Sequence, residues 1–222
     1  MKLLIIIPAY NEEDSIVRVV DNLIRNYPQY EYVIINDGSK DSTSKICHEH
    51  NYNIIDLPIN LGLTGAFQTG LKYAYKKGYD YALQFDADGQ HLPEYIDKMV
   101  MKIQEGYDIV IGSRFVEEKK PATMRMLGSR LISSAIRLTT GVKINDPTSG
   151  MRVFDKNLIR EFSQNINYEP EPDTISFLIK QGAKIGEVQV SMQERIAGES
   201  YLNFTKSMIY MAKMLISIVI LQ

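Results

Sequence analysis

Asp86 and Asp88 stand two residues apart, behind the apolar run Tyr81-Ala82-Leu83-Gln84-Phe85. Two carboxylates at that spacing after a strand can converge on one divalent ion. Hard oxygen ligands suit Mg²⁺ or Mn²⁺, above all when substrate phosphates complete the coordination shell. Gln90 can add a carbonyl oxygen. The same residues also read as a turn, because Asp and Gly favour loops and can cap a following helix. Glu169, Glu171 and Asp173 form a second acidic cluster, able to supply a base, to bind hydroxyl groups, or to cap a helix beginning near Thr174. The three histidines and Cys47 show no zinc spacing. No Ser-His-Asp arrangement and no Gly-rich Walker loop is visible.

The acidic pair needs a frame to hold it, and the apolar patterning supplies one. Leu3 to Ile7 is a continuous apolar run, as a strand buried on both faces requires. Ser15 to Tyr27 has apolar residues at helical spacing. Further strands are predicted at Tyr32 to Ile35, Asn53 to Leu57, Tyr81 to Phe85 and Asp108 to Gly112, with helices at Leu63 to Tyr75 and from Pro93 to about Gln104. Asp41-Ser42-Thr43 offers an N-cap between the second and third strands. This alternation implies βαβ units in a doubly wound, mostly parallel sheet, in which ligands bind outside the carboxyl ends of the strands. The polar clusters Tyr10-Asn11-Glu12, Asn36-Asp37-Gly38, Asp86-Ala87-Asp88 and Gly112-Ser113-Arg114 all follow strands, so they can line one cleft. Beyond Arg114 the strict alternation ends. Met124 to Thr140 reads as a helix, Met151 to Phe154 as a strand, Thr174 to Gln181 as a helix, Lys184 to Val190 as a strand and Phe204 to Leu221 as a final helix.

With 25 basic against 27 acidic side chains in 222 residues, the net charge is −2, which argues against a nucleic-acid-binding domain. At 45% hydrophobic and 23% charged the chain is neither disordered nor a disulfide scaffold. A single cysteine excludes an intramolecular disulfide and favours a reducing, cytoplasmic home. Pro8 ends the first apolar run too early for a signal peptide. The longest apolar stretch, Met208 to Leu221, falls short of the roughly 20 residues that cross a bilayer and carries Lys213.

Taken in order, Pro8-Ala9-Tyr10-Asn11-Glu12-Glu13, Asn36-Asp37-Gly38-Ser39, Asn60-Leu61-Gly62-Leu63-Thr64-Gly65-Ala66, Asp86-Ala87-Asp88-Gly89-Gln90-His91 and Gly112-Ser113-Arg114 resemble the family 2 glycosyltransferases of the GT-A fold. Among these the sequence is most similar to polyprenyl-phosphate glycosyltransferases of the dolichol-phosphate mannose synthase type, over essentially its whole length. The resemblance implies a GT-A domain over residues 1–202 and a C-terminal apolar helix over 203–222. It implies that Pro8, Tyr10 and Glu12 border the nucleobase and ribose of a nucleotide-sugar donor, with Asp37 on the base and Asn60 and Gly62 nearby; the two latter also read simply as turn residues. Asp86 and Asp88, assisted by Gln90, then hold Mn²⁺ or Mg²⁺ and the donor diphosphate, and Arg114 suits a phosphate. Asn36 replaces a frequent Asp.

Asn145 to Arg152 resembles the family's acceptor-side loop, with Met151 in place of the usual aromatic. Asp146 is the expected base, or positions an acceptor that is already an anion; it also fits a turn before Pro147. Arg152 and Glu171 belong to the acceptor side. Arg195, Gly198 and Ser200 match the family's Arg-x-x-Gly-x-Ser phosphate loop. Arg114 to Arg137 mixes basic and apolar residues as a helix lying in a headgroup layer does, or as one packed on the sheet with exposed arginines. The final helix can pack on the domain, pair with a second copy as a homo-oligomer, or meet a small integral-membrane partner. The expected activity is metal-dependent, inverting transfer of a sugar, from a UDP-sugar in preference to a GDP-sugar, to polyprenyl phosphate at the inner face of the cell membrane, for cell-wall or surface polysaccharide. The alternatives are a saccharide acceptor and a non-catalytic nucleotide-sugar-binding subunit. A nucleotidyltransferase lacks support, since Pro8 to Glu12 stands where its Gly-rich loop belongs.

Overall fold

The computed structural model describes residues 1–165, 171–193 and 204–221. Strand β1 (Leu3–Ala9) lies inside the sheet and is buried on both faces. Its Leu3, Ile5 and Ile7 pack with α1 (Ile16–Asn26), α2 (Thr43–Glu49) and α4 (Ile96–Gln104), while Leu4 and Ile6 pack with α3 (Gly62–Lys77). Gly70 allows that second contact, because a Cβ there would fall 2.3 Å from Ile6 Cγ2. The strand and helix predictions up to Gln104 hold within a few residues at the ends, except that a 3₁₀ turn at Pro93–Tyr95 precedes α4.

Strands β2 (Glu31–Asn36), β3 (Ile54–Asp56), β4 (Tyr81–Gln84), β5 (Ile109–Ser113), β6 (Arg152–Asp155) and β7 (Ile185–Gln189) complete a seven-stranded sheet in the order β3-β2-β1-β4-β6-β5-β7. Only β6 runs against its neighbours, pairing Arg152 with Gln84 of β4 and with Ile111 of β5. Two successive reversals leave β4 and β5 parallel. The carboxyl ends of β1, β2, β4, β5 and β7 therefore share one edge, and the loop entering β6 arrives there too.

Helices α5 (Met124–Thr140), α6 (Lys156–Gln164), α7 (Pro172–Lys180) and α8 (Phe204–Ile216) join α3 on the second face. The sequence reading passed over α6. Asp155 is both the last residue of β6 and the N-cap of this helix, accepting the Leu158 N–H at 2.9 Å, so no turn residue separates strand from helix. The C-terminal segment ends in a π-helical turn at Ser217–Leu221. Met214 and Ile218 are buried in the same core as Ile132 and Ile136 of α5.

Candidate active site

Loops at the shared edge are tied to one another before any ligand is considered. Asn11 adopts φ 56°, its N–H donates to Ser39 Oγ at 3.0 Å, and its side-chain oxygen accepts the Lys40 N–H at 2.8 Å. The Glu12 N–H donates to Thr43 Oγ1 at 2.8 Å, and the Ser15 hydroxyl donates to the Glu12 carboxylate at 2.6 Å. Pro8 is paired beside Ile35 at the end of β1, and Tyr10 is exposed. Asp37 is buried, and its Oδ1 accepts the Leu61 N–H at 2.7 Å. Burial pushes the Asp37 carboxyl up from its ordinary value, opposed by the Leu61 and Gly62 amides. Gly38 sits at φ +67°, and a Cβ there would lie 2.7 Å from Asn60 N. The Asn60 to Gly62 turn thus rests on the Asp37 loop, closed by the Gly62 N–H donating to Asn60 Oδ1 at 3.1 Å. Asn36 has a local reason: its Nδ2 donates to Asp56 Oδ1 at 2.6 Å, where an Asp would bring two carboxylates together.

Asp86 stands beyond β4 with its side chain about one-third exposed. Its N–H donates to His91 Nδ1 at 2.9 Å, so the ring proton lies on Nε2, 3.5 Å from Asp86 Oδ2. Gly150 closes the other side, since a Cβ there would lie 3.1 Å from that same Oδ2. Asp88 is buried and accepts the Gln90 N–H at 3.0 Å. Gln90 in turn accepts the Gln193 N–H at 3.0 Å on its carbonyl, which ties this loop to the chain beyond β7. Among the described residues no three His, Cys, Asp or Glu side chains form a metal cage. A partly exposed carboxylate, a buried one two residues on, and Gly150 close against the first instead suit a Mg²⁺-like ion that takes its remaining ligands from substrate phosphates and water.

Arg114 and Asp146 meet in a bidentate fork. Nε donates to Oδ2 at 2.7 Å, Nη2 to Oδ1 at 2.9 Å, and the Arg114 N–H reaches Oδ2 at 3.2 Å. Asp146 is wholly buried, and the Thr148 hydroxyl adds a bond at 3.2 Å. In this geometry Arg114 is engaged by a carboxylate rather than open to a phosphate, and both Asp146 oxygens are occupied. Arg152 departs further from the expected phosphate role. It is 2% exposed and donates to the carbonyls of Ser149 and Pro147, both at 2.8 Å. A guanidinium enclosed in this way braces the loop from within. Burial lowers its pKa, opposed first by the Glu171 carboxylate. Glu171 is the N-cap residue of α7 and accepts a hydrogen bond from the Tyr210 hydroxyl of α8, while the Ser217 hydroxyl donates to Asp173 at 2.8 Å. Arg195 and Ser200, like Glu169 and Gly198, lie outside the described residues.

Three residues at this edge had no place in the sequence reading of the site. Lys120 donates to Ser129 at 2.8 Å and Ser133 at 3.1 Å; burial lowers its pKa while Asp146 raises it. Glu187 and Gln189 reach from β7 to the loops around the fork. Their only local signal is the polar phase of Ile185-Gly186-Glu187-Val188-Gln189, which any half-covered strand shows. A cleft of about 640 Å³ opens beside the fork, lined by Lys119, Lys120, Arg130, Arg137 and Lys143 with Glu117 and Glu118.

The family model for glycosyl transferase family 2 matches residues 4–162. The chain is a family 2 glycosyltransferase. This glycosyltransferase is 35% identical to the UDP-N-acetylglucosamine–dolichyl-phosphate N-acetylglucosaminyltransferase of Methanococcus voltae, over 84% of its own length and 83% of the relative's. It is 26% identical to the polyprenol monophosphomannose synthase of Mycolicibacterium smegmatis, over 90% and 80%. Glucosyl-3-phosphoglycerate synthase from Mycobacterium tuberculosis superposes on it with a TM-score of 0.72 at 17% identity, over 98% of this chain and 80% of that one. The expected GT-A fold is thus the fold this glycosyltransferase has.

Proposed function

We propose that this glycosyltransferase moves a sugar from a nucleotide-diphosphate donor, a UDP-sugar in preference to a GDP-sugar, onto the phosphate of a polyprenyl phosphate. The observation that carries the reading is the basic cleft beside the Arg114–Asp146 fork, on the sheet edge that also bears Asp86. Five cations against two glutamates suit a phosphate monoester, and the two relatives above are named for dolichyl phosphate and for polyprenol monophosphomannose. A phosphate oxygen is already an anion and can attack the anomeric carbon as the nucleoside diphosphate departs from the opposite face, inverting it. Little proton transfer is needed, so Asp146 serves by holding Arg114 in place. Asp86, Asp88 and the Gln90 carbonyl would hold Mn²⁺ or Mg²⁺, which when bound neutralises charge on the leaving diphosphate. Pro8, Tyr10, Glu12, Asp37 and Asn60 border the nucleoside.

No helix among the described residues is long and apolar enough to cross a membrane. Leu127, Leu131 and Leu138 on α5, with Ile209, Ile216 and Ile220 at the C-terminal end, are exposed near Arg130, Arg137 and Lys213. That combination of apolar and basic side chains suits a surface resting on anionic headgroups, here the inner face of the cell membrane, with residues 203–222 contributing part of the contact. The test is nucleoside-diphosphate release from UDP- and GDP-sugars with Mn²⁺ or Mg²⁺, with and without polyprenyl phosphate. Lipid-dependent release and a chloroform-soluble labelled sugar are expected, both abolished in Asp88→Ala. Release that depends instead on a saccharide would replace the acceptor, and an active Asp88→Ala enzyme would remove the metal assignment.

A further inference from the structure

Edge strand β7 holds both walls of the fork. The Glu187 carboxylate accepts the Asn145 N–H at 2.8 and 3.0 Å, the Asn145 side-chain amide at 2.8 Å and the Asp146 N–H at 2.9 Å. Two residues on, and so on the same face of the strand, Gln189 Oε1 accepts the N–H groups of Val116 and Glu117, both at 2.9 Å, and its Nε2 donates to the Arg114 carbonyl at 3.0 Å. One side chain fixes the loop that carries Asp146, the other the loop that carries Arg114, and that ion pair with its backbone bond joins the two loops. A carboxylate receiving two successive backbone amides is a charge-assisted clamp, stronger than neutral hydrogen bonds and fixed in direction.

We infer that Glu187 and Gln189 are positioning residues, which set the placing of Val116, Glu117 and Asn145 in the walls of the basic cleft and so the seating of the acceptor phosphate. This rests on the acceptor reading given above. Neither side chain touches the reacting atoms. Glu187 acts through Asp146, and Gln189 acts directly on the 114–117 backbone.

The test compares Glu187→Ala, Glu187→Gln, Gln189→Ala and Gln189→Glu with the parent enzyme in two measurements. The first is the Michaelis constant for polyprenyl phosphate against that for the donor. Glu187→Ala and Gln189→Ala should raise the acceptor constant by about ten- to a hundred-fold, as misplacement of about 1 Å does, and leave the donor constant unchanged. Gln189→Glu keeps the acceptor for Val116 and Glu117 but sets a carboxylate oxygen against the Arg114 carbonyl, and should recover only part of the loss. Glu187→Gln keeps one acceptor oxygen and should fall between. The second measurement is amide hydrogen exchange, which needs no acceptor. Glu187→Ala should speed exchange at 145–146 and also at 114–117, which Glu187 does not touch. A fall in turnover that tracks the folded fraction, with both constants unchanged, would overturn the inference. So would faster exchange confined to 145–146. If the parent enzyme shows no lipid-dependent release, the acceptor reading fails by itself, and the exchange experiment still judges the positioning.

Discussion

Removing Arg114 should cost far more stability than removing the charge it pairs with. The two ends of the fork differ in their access to water: Asp146 is wholly buried, whereas the Arg114 side chain is 23% exposed. Arg114→Ala leaves a carboxylate in the interior with the backbone N–H of residue 114 and the Thr148 hydroxyl, both at 3.2 Å, as its remaining donors among the described residues. Breaking a buried pair in this way costs about 3–5 kcal/mol. Asp146→Asn leaves a guanidinium that can turn outward to water, so the loss is that of ordinary hydrogen bonds, about 1–2 kcal/mol. For a chain of this size, 1 kcal/mol moves the thermal midpoint by about 2–4 °C, so the expected falls are about 10 °C and about 4 °C. The chain has no tryptophan, so urea and thermal unfolding are best followed by circular dichroism. The decisive comparison is the double variant. With Asn at 146 no unpaired charge is left buried at the fork, so Arg114→Ala/Asp146→Asn should be more stable than Arg114→Ala alone. A double variant at or below the sum of the two single losses would refute the argument that the buried carboxylate, and not lost packing, sets the cost.

Two further outcomes follow from the same edge. Gly150→Ala puts a methyl 3.1 Å from Asp86 Oδ2, which must shift by a few tenths of an ångström; Mn²⁺ affinity, measured by electron paramagnetic resonance, should weaken about ten-fold, with folding intact, and unchanged affinity would remove Asp86 from the metal site. Asp37 has its carboxyl raised above the ordinary 3.8 by burial, so the folded chain keeps that proton to higher pH than the unfolded one. The contribution to stability is complete below the unfolded value and is lost as pH rises through the folded one. Asp37→Asn should therefore be more stable than the parent at pH 7 and flatten the acid side of the urea-stability profile, while binding nucleotide more weakly. A variant less stable at pH 7 would show that hydrogen bonding, not desolvation, governs this residue.

Local chemistry made much of this protein legible. The unbroken, β-branched run Leu3 to Ile7 reads as a strand covered on both faces, and the punctuation by Asn36-Asp37-Gly38 and Asp86-Ala87-Asp88 marks strand ends where polar residues gather. Periodicity is a property of neighbouring residues, so it survives without the fold, and it put the first four strands and their loops in the right order. It could not give the direction of β6, since four residues pair equally well either way until Gln84 and Ile111 flank Arg152. It also missed α6, whose cap is the last residue of a strand.

The roles of the charged residues depended on contacts far apart in the chain. Arg114 and Asp146 are 32 positions apart, and Glu187 lies 41 beyond Asp146. Residue type suggested three arginines for phosphates; packing engaged Arg114 with a buried carboxylate and enclosed Arg152 behind the loop it braces, while Arg195 lies outside the described residues. A guanidinium binds a phosphate, a carboxylate or a carbonyl with the same five donors, and only the partner that the tertiary structure brings within reach decides among them. The sequence by itself determined which residue types stand at the ends of the strands. The antiparallel insertion of β6, by bringing its entering loop to the edge shared by β4 and β5, decided which of them meet.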